Sequence, residues 1–433
     1  KIGLVQNLQA RTLADQAKLF DQRIAAGVRY ARIEHFDDDA APVREFVTAN
    51  AAYWIDEFHL DGLRVDATQA MFDDSPSHVL ADIASRARLA AQKRPIIVIG
   101  ENEPQDVRLL RPTEQDGFGF DALWNDDFHH AAAVALTGRR EAYYTDYTGA
   151  PQEFISMAKW GFLYQGQRYS WQNARRGTPT PGLAPSRFIT FLDNHDQIAN
   201  GPTGRGERVH QRASPGAYRA MTALWLLFPG TPMFFQGQEF GASSPFLYFA
   251  DHAGSLGAAV RAGRAGFMSQ FRSPATRDLV NALPDPRGDD TFGQCRLRDD
   301  ERLRHAWAIA LHRDLLRLRR EGAVFREARA GLMDGAVLSD RAFLLRWFAR
   351  DPRAPWTGEC AAGERLLLVN FGPDLDLDPA PEPLLAPPSG TAWEIRWSSE
   401  DPAYGGTGTA PLETDDKWIL PGQAAVLLAA CRP

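Results

Sequence analysis

Cysteine is scarce in this chain, and the little there is lies scattered. Cys295, Cys360 and Cys431 are odd in number, far apart and outside any CxxC or Cys/His ligand spacing. That excludes a disulfide-knit scaffold and a zinc module, and leaves the expectation of three free thiols. Long apolar runs are missing too. No stretch approaches the roughly 18 residues of a membrane-spanning helix, and no succession of charged, apolar and small residues marks a signal peptide. A membrane partner is therefore not expected, and a cytoplasmic location is. Nor does charge of one sign dominate: 48 Lys and Arg stand against 55 Asp and Glu, a net charge of −7 with a pI near 5.9. The basic residues are dispersed among acidic ones, which leaves no electrostatic footprint for nucleic acid or an anionic surface. A neutral substrate fits better. No internal repeat of fixed period occurs. The chain opens on Lys1 rather than Met, so upstream residues are expected to have been removed or never included.

What is present is an ordinary globular composition, 44% apolar and 24% charged over 433 residues, enough for two or three domains with a large core. From about residue 43 to residue 320, short apolar β-branched runs alternate with segments of helical period, as in βα units on a parallel sheet. Strands are predicted at 60–65, 96–100 and 188–192, each ending against polar residues. Amphipathic helices are predicted at Val43–Phe58, His78–Gln92 and Tyr218–Leu227, the last entered through Ser214, Pro215 and Gly216. A final long helix, Glu301–Arg320, carries Leu303, Trp307, Ala310, Leu311, Leu315 and Leu318 on one stripe. Beyond Glu321 the pattern shifts to alternating strands, Ala342–Phe348, Arg365–Asn370, Thr391–Trp397 and Ala424–Leu428. The proline-rich stretch Pro373–Pro388 reads as a long loop among them.

Three constellations carry chemistry. In Asp61–Asp66 (DGLRVD), strand alternation sends Leu63 and Val65 one way and Arg64 and Asp66 the other. A guanidinium then sits beside a carboxylate at a strand's C-terminal end, where the active sites of parallel βα barrels lie. A fixed cation there keeps the carboxylate ionised. A purely structural Arg–Asp pair is the other reading. Glu101 follows the apolar run Ile96–Gly100, as a functional acid, a helix cap or a solvated loop residue. Asp193-Asn194-His195-Asp196-Gln197 follows Phe188–Leu192; packing does not explain five polar residues there, whereas a catalytic site, a metal site or a turn would. Together the three strand ends deliver carboxylates to one face. A retaining glycosidase needs an acid and a nucleophilic carboxylate about 5–5.5 Å apart, and a third can steady the oxocarbenium charge.

The series DGLRVD, then a Glu after the next strand, then NHD resembles the α-amylase superfamily, and Pro232–Glu239 (PMFFQGQE) looks like its last barrel strand and following loop. Ala122–His130 (ALWNDDFHH), Glu141–Tyr147 (EAYYTDY) and Asn194–Asn200 (NHDQIAN) are similar to the maltooligosyltrehalose trehalohydrolases within it. The resemblance runs from about residue 31 to the end. It implies a (β/α)8 TIM-type barrel followed by an all-β C-terminal domain. The divisions expected are an atypical segment at 1–42, a catalytic barrel portion at 43–322 and a β-sandwich at 323–433. It implies Asp66 as nucleophile with Arg64 orienting it, Glu101 as general acid/base, and Asp196 as stabiliser that holds sugar hydroxyls together with His195. The implied reaction cleaves the α-1,4-glucosidic bond adjoining trehalose in maltooligosyl trehalose, with no cofactor and no catalytic metal.

Gln197 and Tyr143 are further expected sugar contacts. Trp124, Tyr143, Tyr144, Trp171 and Phe128 are candidates for stacking on glucose rings, with ordinary core as the alternative for each. Asp126, Asp127, His129 and His130 are candidate polar contacts to substrate. Around the acid the sequence departs from the Ala-Glu-Asp common in related enzymes, reading Gly100-Glu101-Asn102-Glu103, which bears on the acid's pKa or its substrate contacts.

The other departure is upstream. Only 60 residues precede the first catalytic strand, whereas three βα units need roughly 30 residues each. The family's first motif, ending in an Asn-His pair, and its amino-terminal β-domain have no counterpart there. Residues 13–29 are predicted to form one helix and Ile2–Val5 at most one short strand. The barrel is thus expected to lack its first strands, with little activity alone unless a separate chain supplies them. Rival readings are a branching, debranching or amylase-type relative acting on α-glucan, a catalytically inactive homologue, and a scaffold that assembles through the β-domain.

Overall fold

In the computed structural model, residues 41–271, 283–328, 331–349, 360–414 and 417–432 are described. The helix and strand expected within residues 1–40, and what was inferred from them about barrel closure, lie outside the described residues.

The chain enters through α1 (Ala41–Asp56), β1 (Gly62–Val65), α2 (Val79–Ala91) and β2 (Ile97–Gly100), then β3 (Ala122–Trp124), α3 (Asp126–Thr137) and α4 (Pro151–Trp160). A hairpin of β4 (Gln167–Tyr169) and β5 (Ala174–Arg176) precedes β6 (Phe188–Thr190), α5 (His195–Ala199), α6 (Pro215–Leu227) and β7 (Thr231–Pro232). Strands β1, β2, β3, β6 and β7 lie side by side in that order, every pair parallel. They form the barrel sheet, with α helices on the connections.

Two features put the site at this sheet's C-terminal edge. Gly62 pairs with Ile97 and Val65 with Gly100, and the ladder runs one residue further, Glu101 N–H donating to Val65 O at 2.9 Å. Asp66 and Glu101 therefore leave adjacent strands at the same level. Close approach makes this register glycine-dependent, since a Cβ on Gly62 would lie 2.1 Å from Ile97 O. Backbone cannot yield as a flexible side chain would. Gly62→Ala is thus expected to destabilise the chain by about 2 kcal/mol or more, with a matching fall in its denaturant midpoint. An unchanged midpoint would mean that β1 and β2 slide apart at no cost.

Helix α2 starts at His78, whose ring accepts from Leu80 N, and buries Val79, Ile83, Ala84, Ala87 and Ala91 at helical spacing. Helix α6 buries every residue from Ala217 to Leu227, and Trp225 Nε1 donates to Thr190 O at 3.0 Å, locking the helix to the end of β6. Helix α7 (Gly254–Met268) follows β7, and α8 (Ala306–Glu321) closes this part of the chain. The single helix expected at Glu301–Arg320 is broken at His305. Glu301 takes the Ser243 N–H at 2.9 Å and the His305 ring lies 3.1 Å from Phe240 O. Those tertiary bonds fix a separate short turn, so Leu303 is 87% exposed and the buried stripe is Ala308, Leu311, His312 and Leu315.

The remainder holds β8 (Met333–Ser339), β9 (Ala342–Trp347), β10 (Cys360–Asn370), β11 (Leu375–Leu377), β12 (Ala392–Ser398), β13 (Trp418–Leu420) and β14 (Ala424–Cys431). Five of them form an antiparallel sheet, β12-β14-β10-β9-β8, and β11 pairs with β13. The long loop expected at Pro373–Pro388 thus contains a strand, because Leu375 and Leu377 find a partner edge in β13. Alternation divides the large sheet's faces. Phe343, Leu345, Leu367, Val369 and Leu427 join the barrel's core, whereas Leu344, Leu366, Leu368, Val426 and Leu428 pack with Trp418 and Leu420. A buried ion pair, Arg219 to Glu400 at 2.6 Å, ties α6 to the loop after β12. The expectation of free thiols holds for buried Cys295 and fails for Cys431, which is disulfide-bonded. The strand register that sets Cys360 opposite Cys431 could not be seen in their spacing along the chain.

Candidate active site

At the end of β1, Arg64 reaches two carboxylates at once: Nη1 lies 2.5 Å from Asp66 Oδ1 and Nη2 2.9 Å from Glu101 Oε2. The guanidinium sits 4.0 Å from the centroid of the Trp124 ring, which supports it by cation–π attraction. The backbone then turns through Ala67 in the left-handed region (φ 44°, ψ 47°), aiming its N–H at Glu101 Oε2, 2.8 Å away. A left-handed alanine stores strain, and such residues gather where function fixes the backbone. Thr68 donates to Glu101 O through its N–H (3.0 Å) and hydroxyl (2.7 Å), and Asn102 Nδ2 donates to that hydroxyl at 3.0 Å. Asn102 Oδ1 accepts from Asp106 N. Both ends of the buried Asn102 amide are therefore occupied in bracing the loop, and the sequence departure there serves position.

Burial pushes the Glu101 carboxyl up to about 8, and the hydrogen-bonded neighbour Asp66 adds to this, while Arg64 and the Ala67 N–H pull the other way. Glu101 therefore keeps its proton at neutral pH. It caps no helix.

The polar run after β6 divides its labour. Asp193 is buried, accepts from Val209 N at 3.1 Å, and burial raises its pKa. Asn194 caps α5 by accepting from Gln197 N at 2.7 Å. The next two residues reach solvent in part: His195 Nε2 lies 3.3 Å from Asp196 Oδ2, whose side chain is half exposed. The His195 ring is 6.1 Å from that of Trp124, so one chain of contacts joins Asp66, Arg64, Trp124, His195 and Asp196. Among the described residues no group of three or more His, Cys, Asp or Glu could hold a metal ion.

The stretch around α3 parts into outward and inward members. Asn125 caps the helix, accepting from Phe128 N. Asp126 remains partly open, and burial with the charges of Asp127, Glu103 and Asp196 lifts it to about 6 against the pull of Arg176. The other three candidate contacts are inside. Asp127 accepts from Tyr147 Oη (2.6 Å), Leu163 N (2.8 Å), Tyr164 N (3.0 Å) and Arg176 Nε (3.3 Å). His129 is held neutral by burial, its pKa near 3, with Nδ1 2.6 Å from Leu192 O and Nε2 3.0 Å from Tyr144 Oη. His130 is buried among the rings of Tyr143, Tyr144 and Tyr147. Tyr144 Oη also lies 3.4 Å from Gln197 Oε1, and so the three unusual sequence stretches meet at one hydroxyl.

Of the stacking candidates, Phe128 is fully buried and Tyr144 nearly so, Trp124 and Tyr143 keep a sliver of surface, and Trp171 is exposed. Sequence reading passed over Arg176. It is buried, bonds Glu103 Oε1 at 2.5 Å and Asp127, and lies 3.8 Å from Asp126, joining the loop after β2 to the start of α3. In sequence it is one of three arginines in a short polar hairpin, a pattern shared by solvated turns.

Asp127→Ala would take from Arg176 one of its carboxylate partners and leave three further buried donors unpaired. We expect a stability loss of about 3–5 kcal/mol and equal proportional effects on any two substrates. A change confined to one substrate would show that Asp127 reads it directly.

The chain is 38% identical over 346 residues to the malto-oligosyltrehalose trehalohydrolase of Deinococcus radiodurans, a match covering 78% of this chain and 53% of that protein. It is 35% identical over 294 residues to the same-named protein of Saccharolobus solfataricus, covering 66% and 48%. The chain thus spans about half the length of the curated relatives it matches. A solved structure from Salmonella typhimurium, provisionally assigned as an alpha amylase, superposes with a TM-score of 0.71 at 29% identity over 92% of this chain and 63% of the other. Residues 330–427 match a family described as a domain of unknown function, DUF3459. In sequence and in fold the chain is similar to proteins of the α-amylase superfamily. Its sequence kinship within it is with the malto-oligosyltrehalose trehalohydrolases.

Proposed function

We propose that this site hydrolyses an α-1,4-glucosidic bond with retention of configuration, and that its substrate is maltooligosyl trehalose, from which trehalose departs. The observation that carries the chemistry is the pair Asp66 and Glu101, bridged by Arg64 and with Glu101 protonated near neutral pH. Two carboxyls that leave adjacent strands at the same level and share one guanidinium suit the close pair of a retaining site rather than the wider pair that admits a water between them. In the first step Asp66 attacks the anomeric carbon as Glu101 gives its proton to the departing oxygen. In the second, Glu101, now a carboxylate, takes a proton from water, whose oxygen displaces Asp66. Arg64 positions Asp66 and pairs with its carboxylate before attack and again once water has displaced it. Asp196, with His195 beside it, stabilises the positive charge on the ring and binds its hydroxyls. Trp124, Asp126, Tyr143 and Gln197 form the wall against which the trehalose end rests.

The substrate choice is supported by kinship to the trehalohydrolases and by the meeting of their three stretches at Tyr144. The deciding assay compares maltotriosyl trehalose with maltotetraose, following sugars by chromatography and the new anomeric centre by NMR. Trehalose released from the former, with α-configured product and little action on the latter, is the expected result. Equal cleavage of both would indicate an amylase-like hydrolase, chain transfer a branching-type enzyme, and no cleavage an inactive homologue.

A further inference from the structure

An aromatic row outside the catalytic cluster remains unused by that mechanism. It begins at Phe235, three residues past β7, and continues through Phe246 (ring centroids 4.9 Å apart), Phe249 (5.8 Å) and Phe292 (5.1 Å), each pair edge to face. Exposure rises along it. Phe235 and Phe246 are half-buried, Phe249 is 38% exposed and Phe292 56%, and Tyr248, next to Phe249 in sequence, is 37% exposed. Surface aromatics in one contiguous band mark binding sites more often than chance, because water penalises each uncovered ring.

The row is held in place by buried cations. Arg208 is fully buried and donates to Gln236 O (2.7 Å) and Ser244 O (2.9 Å), clasping both ends of the loop that leads into the row. Arg264 is 9% exposed, lies 5.0 Å from the Tyr248 ring centroid, and donates to Ala199 O (2.7 Å) and Asn200 Oδ1 (2.8 Å). Those two acceptors are the end of α5 and the residue after it, and α5 begins at His195 and Asp196. Phe246 N–H donates to Gly206 O in the loop that follows α5. The aromatics are thus anchored to the same short helix that carries the third carboxylate, on the edge of the sheet where Asp66 and Glu101 emerge.

We propose that Phe249, Phe292 and Tyr248 form a platform for the linear α-1,4-glucan arm of the substrate, extending the cleft beyond the sugars at the scissile bond. The inference rests on the α-glucan reading of the site. A row of rings suits a chain of identical sugar units, each presenting an apolar C–H face, better than it suits one disaccharide. Polar residues able to read individual hydroxyls are missing from the row itself, which fits a surface that senses length and not identity. These residues determine chain-length specificity and touch none of the reacting atoms.

The test is calorimetric titration of the 433-residue chain carrying Glu101→Gln, so that sugar is bound and not turned over, with maltoheptaose and maltotriose as probes. Adding Phe249→Ala and Phe292→Ala together is expected to weaken maltoheptaose at least tenfold and maltotriose less than twofold, with an unchanged melting temperature. Phe292→Tyr, which keeps a ring, should retain parental affinity. Equal losses on both sugars, no loss on either, or no maltoheptaose binding before the aromatics are removed would each overturn the platform. Hydrolysis by the chain with Glu101 intact is measured separately. Length-dependent binding without hydrolysis would remove the catalytic reading and leave the platform standing.

Discussion

Glu101→Gln is expected to lower kcat for glycosidic cleavage by roughly 10³–10⁴-fold, since the amide has the carboxyl's shape and no proton to give at the transition state. The parent's kcat/KM should be flat up to about pH 8 and fall above it, because burial holds the Glu101 pKa there and only the protonated acid is competent. The variant should lack that descending limb. A second readout separates chemistry from folding. A carboxyl whose pKa is raised on folding favours the folded state most while the unfolded chain is also protonated, and that advantage is lost as pH climbs through the folded value. Between the ordinary glutamate value of 4.5 and about 8, the parent should therefore lose stability relative to Glu101→Gln. The variant should melt higher than the parent at pH 7, with a shallower pH dependence. Asp66→Ala should lose at least as much activity without gaining the flattened profile. Azide should restore turnover to it alone, giving a glycosyl azide of inverted configuration. A tenth of parental activity in either variant would show the roles to be misassigned.

Arg64→Met is expected to cost roughly 10²–10³-fold in kcat/KM while leaving the fold intact. Its guanidinium is the shared partner of Asp66 and Glu101 and lies on Trp124, so methionine keeps much of the packing and loses the charge. The sign of the pH effect follows from position. Arg64 pulls the Glu101 pKa down, so its removal should move the basic limb of the profile to higher pH while lowering the plateau, as Asp66 loses the partner that orients it. Arg64→Lys should recover the limb's position more fully than the rate, because a point charge cannot hold two carboxylates in a fork. A limb that stays put, with only KM altered, would make Arg64 a binding residue rather than the organiser of the pair.

Local pattern marked out much of this architecture. β1, β2 and β6 fall within the predicted runs, and the boundaries of α1 and α2 lie within two residues of their predicted ones. Strand β3 escaped notice. It has three residues, all buried, too few for any periodicity to show. The expected last strand is paired only at Thr231 and Pro232; beyond them Met233 N–H makes one more bond, to Thr190 O, before the chain turns at Gly237. In the β-domain, β11 was hidden inside a proline-rich stretch because it too has only three residues, and its pairing partner β13 is remote in sequence.

The chemistry-bearing types were legible one strand end at a time. Asp66, Glu101 and Asp196 stand after apolar runs, where a buried strand meets the edge of its sheet, and alternation alone turns Arg64 toward Asp66. Sequence could not say which polar residues of Trp124–His130 face substrate. Asp126 stays partly open while Asp127, one residue later, is buried beneath four donors from three other segments. A helical turn places neighbours on different faces, and only the hairpin of β4 and β5, folding back with Arg176, decided which face became interior. The same holds for protonation. That Glu101 is an acid is written in the sequence; that it keeps its proton to about pH 8 depends on desolvation and on Asp66 beside it. Residue type and period are local properties of a chain, whereas burial and the field at a carboxylate are sums over everything that packs around it, and those sums exist only once the chain has folded.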